Sequence, residues 1–313
     1  MNKRHLILAA SIGIVSMYQP VMAQQEAMFT HYMFNTISIN PAYAGSRDAL
    51  TITGLNRLQW VGFNGAPVTQ TITAHTPIYR DNMGIGLSVI NDKIGPVNLT
   101  SVYLDLAYRL ELKEGSHLSF GLKSGINMMG VGLKDLAIND ATDNAFLADV
   151  ESKVLPNFGF GVYYNTDKFY VGLSSPRLLE NDYSTNSSGS GLDLASEKKH
   201  YFLIAGYQYR LNDELEIRPT TFIKATNGAP IEMDVTARLI YDETIWLGLM
   251  GRTGDAAGLL LGTTVMGNLD IGYSFDWSFG LSTGKYNGGS HEIVLRYDFI
   301  YKDKEKIRSP RYF

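Results

Sequence analysis

The chain has 313 residues with 27 Lys+Arg against 31 Asp+Glu, and this slightly acidic balance argues against a nucleic-acid binder. The sequence contains no Cys, which excludes disulfides, thiolate metal sites and a Cys nucleophile. Charged residues make up only 19%, below the roughly 25% of an average soluble domain, whereas Gly (31) and Tyr (19) are abundant.

The first 23 residues have the three parts of a cleaved signal peptide. Residues 2–5 are basic, residues 6–15 are apolar, and Val21-Met22-Ala23 supplies the small residues that precede a cleavage site. The alternative is a membrane anchor, but this apolar run is too short to span about 30 Å of hydrocarbon. No later apolar run reaches the ~18 residues of a membrane helix. The sequence therefore predicts an exported chain that is periplasmic, secreted or an outer-membrane barrel.

From residue 50 onward, apolar and polar residues alternate. In one stretch, Leu269, Ile271, Tyr273, Phe275 and Trp277 alternate with polar or small residues. This pattern gives a strand one apolar and one polar face. A soluble antiparallel sandwich alternates in the same way. The stretches run to about 10 residues, however, which is nearer the ~9–11 of a tilted membrane strand than the usual five or six.

Fourteen such stretches are predicted as strands. Their ranges are 50–60, 67–77, 83–91, 97–111, 116–127, 156–164, 168–176, 199–210, 214–225, 230–240, 244–252, 256–266, 268–277 and 290–301. Tight turns alternate with longer joints, notably 128–155, 177–198 and 278–289. Short periplasmic turns, long outer loops and an even strand number are the pattern of an outer-membrane barrel. The predicted fold is all-β, a transmembrane antiparallel β-barrel of about 14 strands.

Aromatic residues fall near the ends of the predicted strands, where membrane barrels carry girdles at the two interfaces. The predicted girdle residues are Trp60, Tyr79, Tyr108, Tyr209, Tyr241, Trp246, Trp277 and Tyr301. The barrel is expected to occupy residues 50–301, preceded by a plug-like or periplasmic segment at 24–49 and followed by a basic tail at 302–313.

The face opposite the lipid is predicted to carry charges of both signs. The candidate basic residues are Arg109, Lys123, Arg210, Arg218, Lys224, Arg238 and Arg296, and the candidate acidic residues are Asp105, Glu111, Glu216, Glu232, Asp234, Asp270, Asp276, Glu292 and Asp298. An ion-selective pore usually presents rings of one sign. Two interpretations stay open: the charges pair and keep a small lumen hydrated, or they hold the segment 24–49 in the periplasmic mouth and help to close it.

The segment before the first strand contains a distinctive block, Asn40, Pro41, Ala42, Tyr43, Ala44 and Gly45. With it, the chain resembles the PorP/SprF family of type IX secretion system outer-membrane proteins of the Bacteroidetes. Further matching blocks lie in order at 57–60, 65–67, 84–87, 92–95, 156–164, 170–176, 228–230, 246–248 and 270–276. The resemblance implies a non-enzymatic, integral outer-membrane component that supports export or surface anchoring of an adhesin-like cargo with a C-terminal secretion domain, as in gliding motility.

The resemblance also implies partners at both faces of the membrane, including periplasmic ring proteins of the secretion machinery. The loops 128–155 and 177–198 are the candidates for holding the adhesin. In the tail, Arg311, Tyr312 and Phe313 are the candidates for periplasmic docking, with a solvated terminus as the alternative. The runner-up function is a fatty-acid-channel-like transporter of hydrophobic small molecules.

Catalytic and cofactor sites have little support in the sequence. The His residues have no zinc spacing, and no Gly-x-Ser-x-Gly elbow occurs. The Gly-x-Gly strings lie within strands, so they are interpreted as strand packing and not as nucleotide loops. The acidic loop 139–151 lacks the spacing of a calcium loop. We expect no enzyme activity, cofactor or metal.

Overall fold

The computed structural model describes residues 28–78, 82–113, 115–132, 150–181, 197–279 and 288–300. Within these residues the chain forms fourteen strands. They are β1 Leu50–Leu58, β2 Val68–Ile78, β3 Met83–Ile94, β4 Val97–Lys113, β5 Ser116–Val131, β6 Val150–Asn165, β7 Phe169–Ser175, β8 in two pieces (His200–Tyr207 and Tyr209–Arg210), β9 Leu215–Thr226, β10 Glu232–Tyr241, β11 Ile245–Arg252, β12 Ala256–Val265, β13 Leu269–Ser278 and β14 Ser290–Phe299. The predicted signal peptide, residues 24–27 and the tail 302–313 lie outside the described residues.

The strands form one closed antiparallel barrel. Each strand pairs with its neighbours in sequence, and β1 also pairs with β14 from Leu50↔Phe299 to Leu58↔His291. Closure leaves no sheet edge, so every strand can satisfy its backbone hydrogen bonds in a membrane. The predicted fold class, an all-β antiparallel barrel of 14 strands, is confirmed.

Alternation places apolar side chains outside and polar ones inside. In β14, Glu292 and Arg296 are buried, whereas Ile293 and Leu295 are about half exposed on the outer surface. The outer surface therefore carries an apolar band of the kind that faces lipid.

The wall is taller between β4 and β6 than predicted. β5 extends to Val131 and β6 begins at Val150, whereas the predicted strands ended at 127 and began at 156. The alternating ladder continues on both strands, so they reach 16 residues each, beyond the ~9–11 that a membrane strand needs. The β5–β6 joint is accordingly shorter than expected.

One predicted girdle residue was wrong. Tyr108, Tyr209, Tyr241 and Trp277 are exposed on the outer surface, but the side chain of Trp246 is buried and faces inward. Trp246 lies near a strand end, where girdle residues are found, but the alternation of side chains along β11 places it on the inner face of the barrel. Residues 79 and 301 lie outside the described part of the chain.

Residues 28–49, here named the inner segment, precede β1 and lie inside the barrel. Residues 28–47 are all buried. The segment contains a four-residue helix α1, Thr36–Ile39, and a 3₁₀ turn, Pro41–Tyr43. Among the described residues, no helix is long and apolar enough to cross a membrane. Whether the inner segment acts as a plug stays a prediction.

Candidate functional site

The inner segment runs along most of the height of the barrel. We call the end of the barrel at which β1 begins and β14 ends, and which has most of the short connections, the turn end, and the opposite end the loop end. Residues 30 and 31 contact Arg57 and Glu292, which lie near the loop end of β1 and β14. Arg47 contacts Asp298 at the turn end. The segment therefore extends well beyond the mouth at which it was predicted.

Near the loop end, the segment binds buried carboxylates of the wall. The main-chain N–H groups of Thr30 and His31 donate to the Glu292 carboxylate at 2.9 and 2.7 Å, and His31 Nδ1 lies 2.8 Å from it. The Thr30 hydroxyl donates to Asp276 at 2.6 Å. Arg57 Nη1 donates to Asp276 at 2.8 Å and to Glu292 at 3.1 Å. These five residues form what we call the anchor cluster.

The anchor cluster is buried, with the Arg57, Asp276 and Glu292 side chains at most 1% exposed. Taking such charges out of water is costly, and the cost is offset only when geometry and hydrogen bonding are good. Here one guanidinium serves two carboxylates, and the segment supplies further donors to both. The segment and the wall are therefore electrostatically interdependent at this end.

At the turn end, Arg47 fixes the last part of the segment to β14. Its Nε and Nη2 donate to the Asp298 carboxylate at 3.2 and 2.5 Å, and the Thr51 hydroxyl donates to it at 2.7 Å. Burial disfavours the charged guanidinium, but the Asp298 carboxylate outweighs it and holds the pKa of Arg47 above its ordinary value. The pair is therefore charged at any physiological pH.

Between these ends, Tyr32 binds the wall formed by β9 and β10. Its hydroxyl lies 3.0 Å from the Thr220 hydroxyl and donates to Thr236 at 3.4 Å. Its ring stacks on Phe222 with centroids 5.1 Å apart. The hydroxyl contacts and the ring stacking together hold Tyr32 against this wall.

Strands β9–β14 and β1, here named the charged wall, carry further buried ion pairs. Arg296 binds Asp270 through Nε at 2.9 Å and Nη2 at 2.7 Å. Arg252 binds Asp234 across β10 and β11 at 2.9 and 2.8 Å. In the Arg252–Asp234 pair each nitrogen donates to its own carboxylate oxygen, which is the strongest geometry for an arginine and a carboxylate. These pairs brace neighbouring strands of the wall.

Strands β3–β7, here named the glycine wall, receive the Asn40–Gly45 block. A Cβ at Gly84 would lie 2.0 Å from the Ala44 carbonyl oxygen, and one at Gly121 would lie 2.1 Å from the Ala42 nitrogen. A Cβ at Gly161 would lie 2.1 Å from Asn40 Oδ1. The backbone of the segment can approach these strands only because they have no side chain at those points.

Local hydrogen bonds shape the same block. Asn40 Oδ1 accepts from the Ala42 N–H at 3.0 Å and begins the 3₁₀ turn, while its Nδ2 donates to the Val162 carbonyl at 3.0 Å. Gly45 has φ +75°, which a side chain would strain, and it lies against the backbone of Pro77 and Gly84. The block therefore combines a turn with a surface that fits the glycine wall.

The structure brings most of the predicted lumen charges to the interior. Asp105, Lys123, Glu216, Lys224, Asp234, Arg238, Asp270, Asp276, Glu292, Arg296 and Asp298 are buried. Arg109 is partly buried and binds Asp48 at 2.6 Å, and Glu232 lies 3.4 Å from Lys224. Arg218 is partly buried too.

Two predicted lumen residues were wrong, and three buried arginines were missed. Arg210 and Glu111 are exposed, because they lie where the strands extend beyond the barrel interior. Arg57 and Arg252 were missed, although each follows the inward parity of its strand. Arg47 precedes the first strand, so no alternation pattern indicates the direction of its side chain. The tail residues Arg311, Tyr312 and Phe313 lie outside the described residues.

At the loop end, Glu197 joins the bases of two loops. Its carboxylate accepts from Asn127 at 2.5 Å, from Asn157 at 2.8 Å and from Asn181 at 2.9 Å. Asn127 lies on β5, Asn157 on β6, and Asn181 and Glu197 on the β7–β8 joint. This loop-root cluster connects the β5–β6 and β7–β8 loops, whose tips at 133–149 and 182–196 fall outside the described residues.

Neither a metal site nor a cofactor site is apparent in the described part of the chain. Within it, no group of three or more His, Asp or Glu side chains could hold a metal ion. The acidic loop 139–151 lies almost wholly outside that part. Calcium binding there therefore stays untested.

Comparisons with solved structures find membrane barrels of low sequence identity. The "CymD monoaromatic hydrocarbon channel" is 11% identical, with a TM-score of 0.52 over 86% of this chain and 93% of that one. The "P. putida toluene transporter TodX" is 9% identical, with a TM-score of 0.48 over 85% and 94%. At 11% identity, the similarity to the hydrocarbon channel supports the fold alone. A comparison with curated proteins found no match.

The family comparison is more specific. The model of the family described as "Type IX secretion system membrane protein PorP/SprF" matches residues 21–297, which include the inner segment and almost the whole barrel. Together with the closed barrel and its apolar outer band, this makes the chain an integral outer-membrane component of type IX secretion. The chain belongs to the PorP/SprF family.

Proposed function

We propose that this chain is a closed docking component of type IX secretion. The inner segment acts as a plug, the loop end holds a cognate adhesin-like cargo protein, and the turn end contacts other components of the machinery. The observation that carries the proposal is the inner segment, which is buried over residues 28–47 and binds β13 and β14 as well as β6 and β7. A segment held on opposite sides of the lumen leaves little room for solute.

The loop-root cluster supports the docking part of the proposal. The β5–β6 and β7–β8 loops are the longest joints of the barrel, and Glu197 holds their bases together. A carboxylate that accepts three amide donors fixes the spacing of the loop bases. The two loops can thereby present one composite surface to a protein partner.

A transporter of hydrophobic small molecules is less well supported. Such a channel needs an apolar passage, because a hydrophobic solute cannot replace the hydrogen bonds of a charged wall. The described lumen instead carries buried ion pairs such as Arg57–Glu292 and Arg296–Asp270. The similarity to a hydrocarbon channel extends only to the fold.

Conductance tests the plug. The purified protein in planar bilayers is expected to give no steady conductance, whereas a variant that lacks residues 28–46 conducts. Heat-dependent gel migration first establishes that the deleted barrel is folded, and Gly121→Ala is the second variant if it is not. A steady conductance or uptake of hydrophobic solutes by the unaltered protein would contradict the proposal.

Affinity purification tests the docking. Tagged protein taken from its native outer membrane is expected to bring a large surface protein with it, and Glu197→Gln is expected to reduce the yield of that protein. Glu180→Gln, on an exposed side chain of the same loop, is the matched control and leaves the yield unchanged. No surface protein with the unaltered chain, or equal yields with both variants, would count against docking through these loops.

The tail has its own test. Truncation after Tyr301 removes the proposed docking residues Arg311, Tyr312 and Phe313 together with the rest of the basic tail. We expect fewer periplasmic ring proteins to co-purify with the truncated chain. Unchanged recovery of those proteins and intact secretion would remove the tail from the proposal without affecting the plug.

A further inference from the structure

A cavity of about 220 Å³ lies at the turn end between the inner segment and the charged wall. Phe34, Ile240 and Trp246 give it an apolar surface. Its charged lining residues are Arg47, Arg218, Arg238, Arg296, Asp242, Glu243, Asp270 and Asp298. The lining therefore has four basic and four acidic side chains, but not every arginine is paired with a carboxylate.

Three of the four arginines already bind carboxylates. Arg47 binds Asp298 at 2.5 Å and Arg296 binds Asp270 at 2.7 Å. Arg218 binds Glu216, the residue two positions before it on β9. These pairs need no additional anion.

Arg238 is different. It is 4% exposed, and among the described residues it has neither a hydrogen-bond acceptor nor a carboxylate within ion-pair distance. Its guanidinium lies 4.8 Å from the Phe34 ring centroid and 5.6 Å from that of Trp246. Ring faces stabilise a cation only partly, and a buried charge without an anionic partner is costly.

The surroundings of Arg238 increase this cost. Arg218 lies directly opposite it in the β9–β10 register, and like charges in that position destabilise a sheet. Arg296 lies 4.7 Å from the centroid of the same Phe34 ring. Two guanidinium groups therefore lie against the Phe34 ring, with Arg218 on the neighbouring strand, and of the three only Arg238 has no carboxylate bound to it.

We propose that this cavity binds a carboxylate carried on an aromatic or aliphatic body. Arg238 binds the carboxylate, because its planar fork matches that group, and Phe34 and Trp246 contact the body. The cavity is smaller than the ~300–1,000 Å³ of sites for drug-sized ligands, so the body has about the size of one amino-acid side chain. The site does not depend on the proposed plug or docking role.

The carboxylate can come from a free small acid or from the end of a peptide chain. Both sources present the same planar group to Arg238, so probes of different size distinguish them.

Equilibrium dialysis of the full-length protein in detergent tests the site, with radiolabelled N-acetylphenylalanine as the probe. N-Acetylphenylalaninamide has the same body without the charge and is the matched ligand. Arg238→Met is expected to weaken binding of the acid by about tenfold or more. Lys168→Met, on an exposed side chain of the β6–β7 turn and outside the cavity, is the control variant and is expected to bind the acid as the unaltered protein does.

A tetrapeptide that ends in phenylalanine with a free carboxylate distinguishes the two sources. Binding of the acid at least as tight as that of the tetrapeptide indicates a site for a free acid, and binding of the tetrapeptide that is tighter by about tenfold or more indicates a site for the end of a peptide chain. The proposal is overturned if neither probe binds, if the amide binds as well as the acid, or if Arg238→Met binds undiminished. The acid–amide comparison needs no variant, so it decides the question even if Arg238→Met does not fold.

Discussion

The two walls that hold the inner segment use different physics. The charged wall binds the start of the segment through carboxylates and arginines that are at most 1% exposed in the anchor cluster. The glycine wall binds the Asn40–Gly45 block by close backbone approach. The charged wall stabilises the segment through a few strong, mutually dependent ion pairs and hydrogen bonds. The glycine wall stabilises it through many close backbone contacts.

Glycines occur in both walls, but they make room for different atoms. In the charged wall, a Cβ at Gly258 would meet the Asp276 carboxylate at 2.8 Å and one at Gly248 would meet Arg238 Cγ at 2.9 Å. In the glycine wall, a Cβ at Gly84 or Gly121 would meet the backbone of the inner segment. A side chain can rotate away from a new methyl group, whereas a buried backbone has to move as a unit. The glycine wall is therefore the more sensitive to a single added methyl group.

The largest effect is expected where the anchor cluster loses its cation. Arg57→Met leaves Asp276 and Glu292 buried without a guanidinium, and breaking a buried pair in this way costs about 3–5 kcal/mol. The free energy of unfolding, measured by urea titration in micelles with tryptophan fluorescence, is expected to fall by this amount.

Arg210→Met is the matched control for this prediction. Arg210 and Glu243 lie 3.5 Å apart with about half of each side chain exposed, and such pairs contribute only about 0–1 kcal/mol. Equal losses in the two variants would show that burial of the anchor cluster does not set its strength.

The second prediction separates the glycine wall from the barrel itself. Gly121→Ala is expected to displace the block from β5 at a cost of about 1–3 kcal/mol, while the barrel stays closed. The chain has no native Cys, so Ser38→Cys supplies a single buried reporter, and its maleimide labelling rate is expected to rise in the Gly121→Ala background.

Gly251→Ala is the control, since a Cβ there meets nothing within 4 Å and faces outward. If both variants label at the rate of the reporter alone, close approach is not what holds the block. If Gly121→Ala also abolishes heat-dependent gel migration, the block supports closure of the barrel as well as occupying it.

The same comparison explains how much of the molecule could be predicted. Strand number and order followed from local alternation, because each strand has an apolar outer face. The direction of Trp246 was available from the same alternation, since Gly248 and Arg252 share its parity. The alternation pattern thus predicts the direction of a side chain better than its distance from the strand end does.

The binding of the block by the glycine wall could not be predicted in this way. The Asn40–Gly45 block and the Gly-x-Gly strings were both visible, but their contacts join residues 40 to 132 positions apart, as between Ala44 and Gly84 or Asn40 and Gly172. A glycine in a strand pattern indicates close approach without naming the approaching atom. Only the folded barrel identifies it. The unpartnered Arg238 also depends on the fold, because Asp270 and Asp298, the buried carboxylates of the same cavity, bind Arg296 and Arg47 instead.

The smallest expected effect tests whether hydrogen bonds contribute comparably to close approach. Ser174 on β7 donates to the Ile39 carbonyl at 2.7 Å, and Ser174→Ala removes that bond without adding an atom to the glycine wall. The loss is expected to be about 1 kcal/mol in the same urea titration, with little change in labelling of the Ser38→Cys reporter. Ser175→Ala is the control, because its hydroxyl contacts the main chain of Arg177 and not the inner segment. A Ser174→Ala loss as large as that of Gly121→Ala would mean that individual polar contacts, and not the fit of backbone against glycine, hold the block in the barrel.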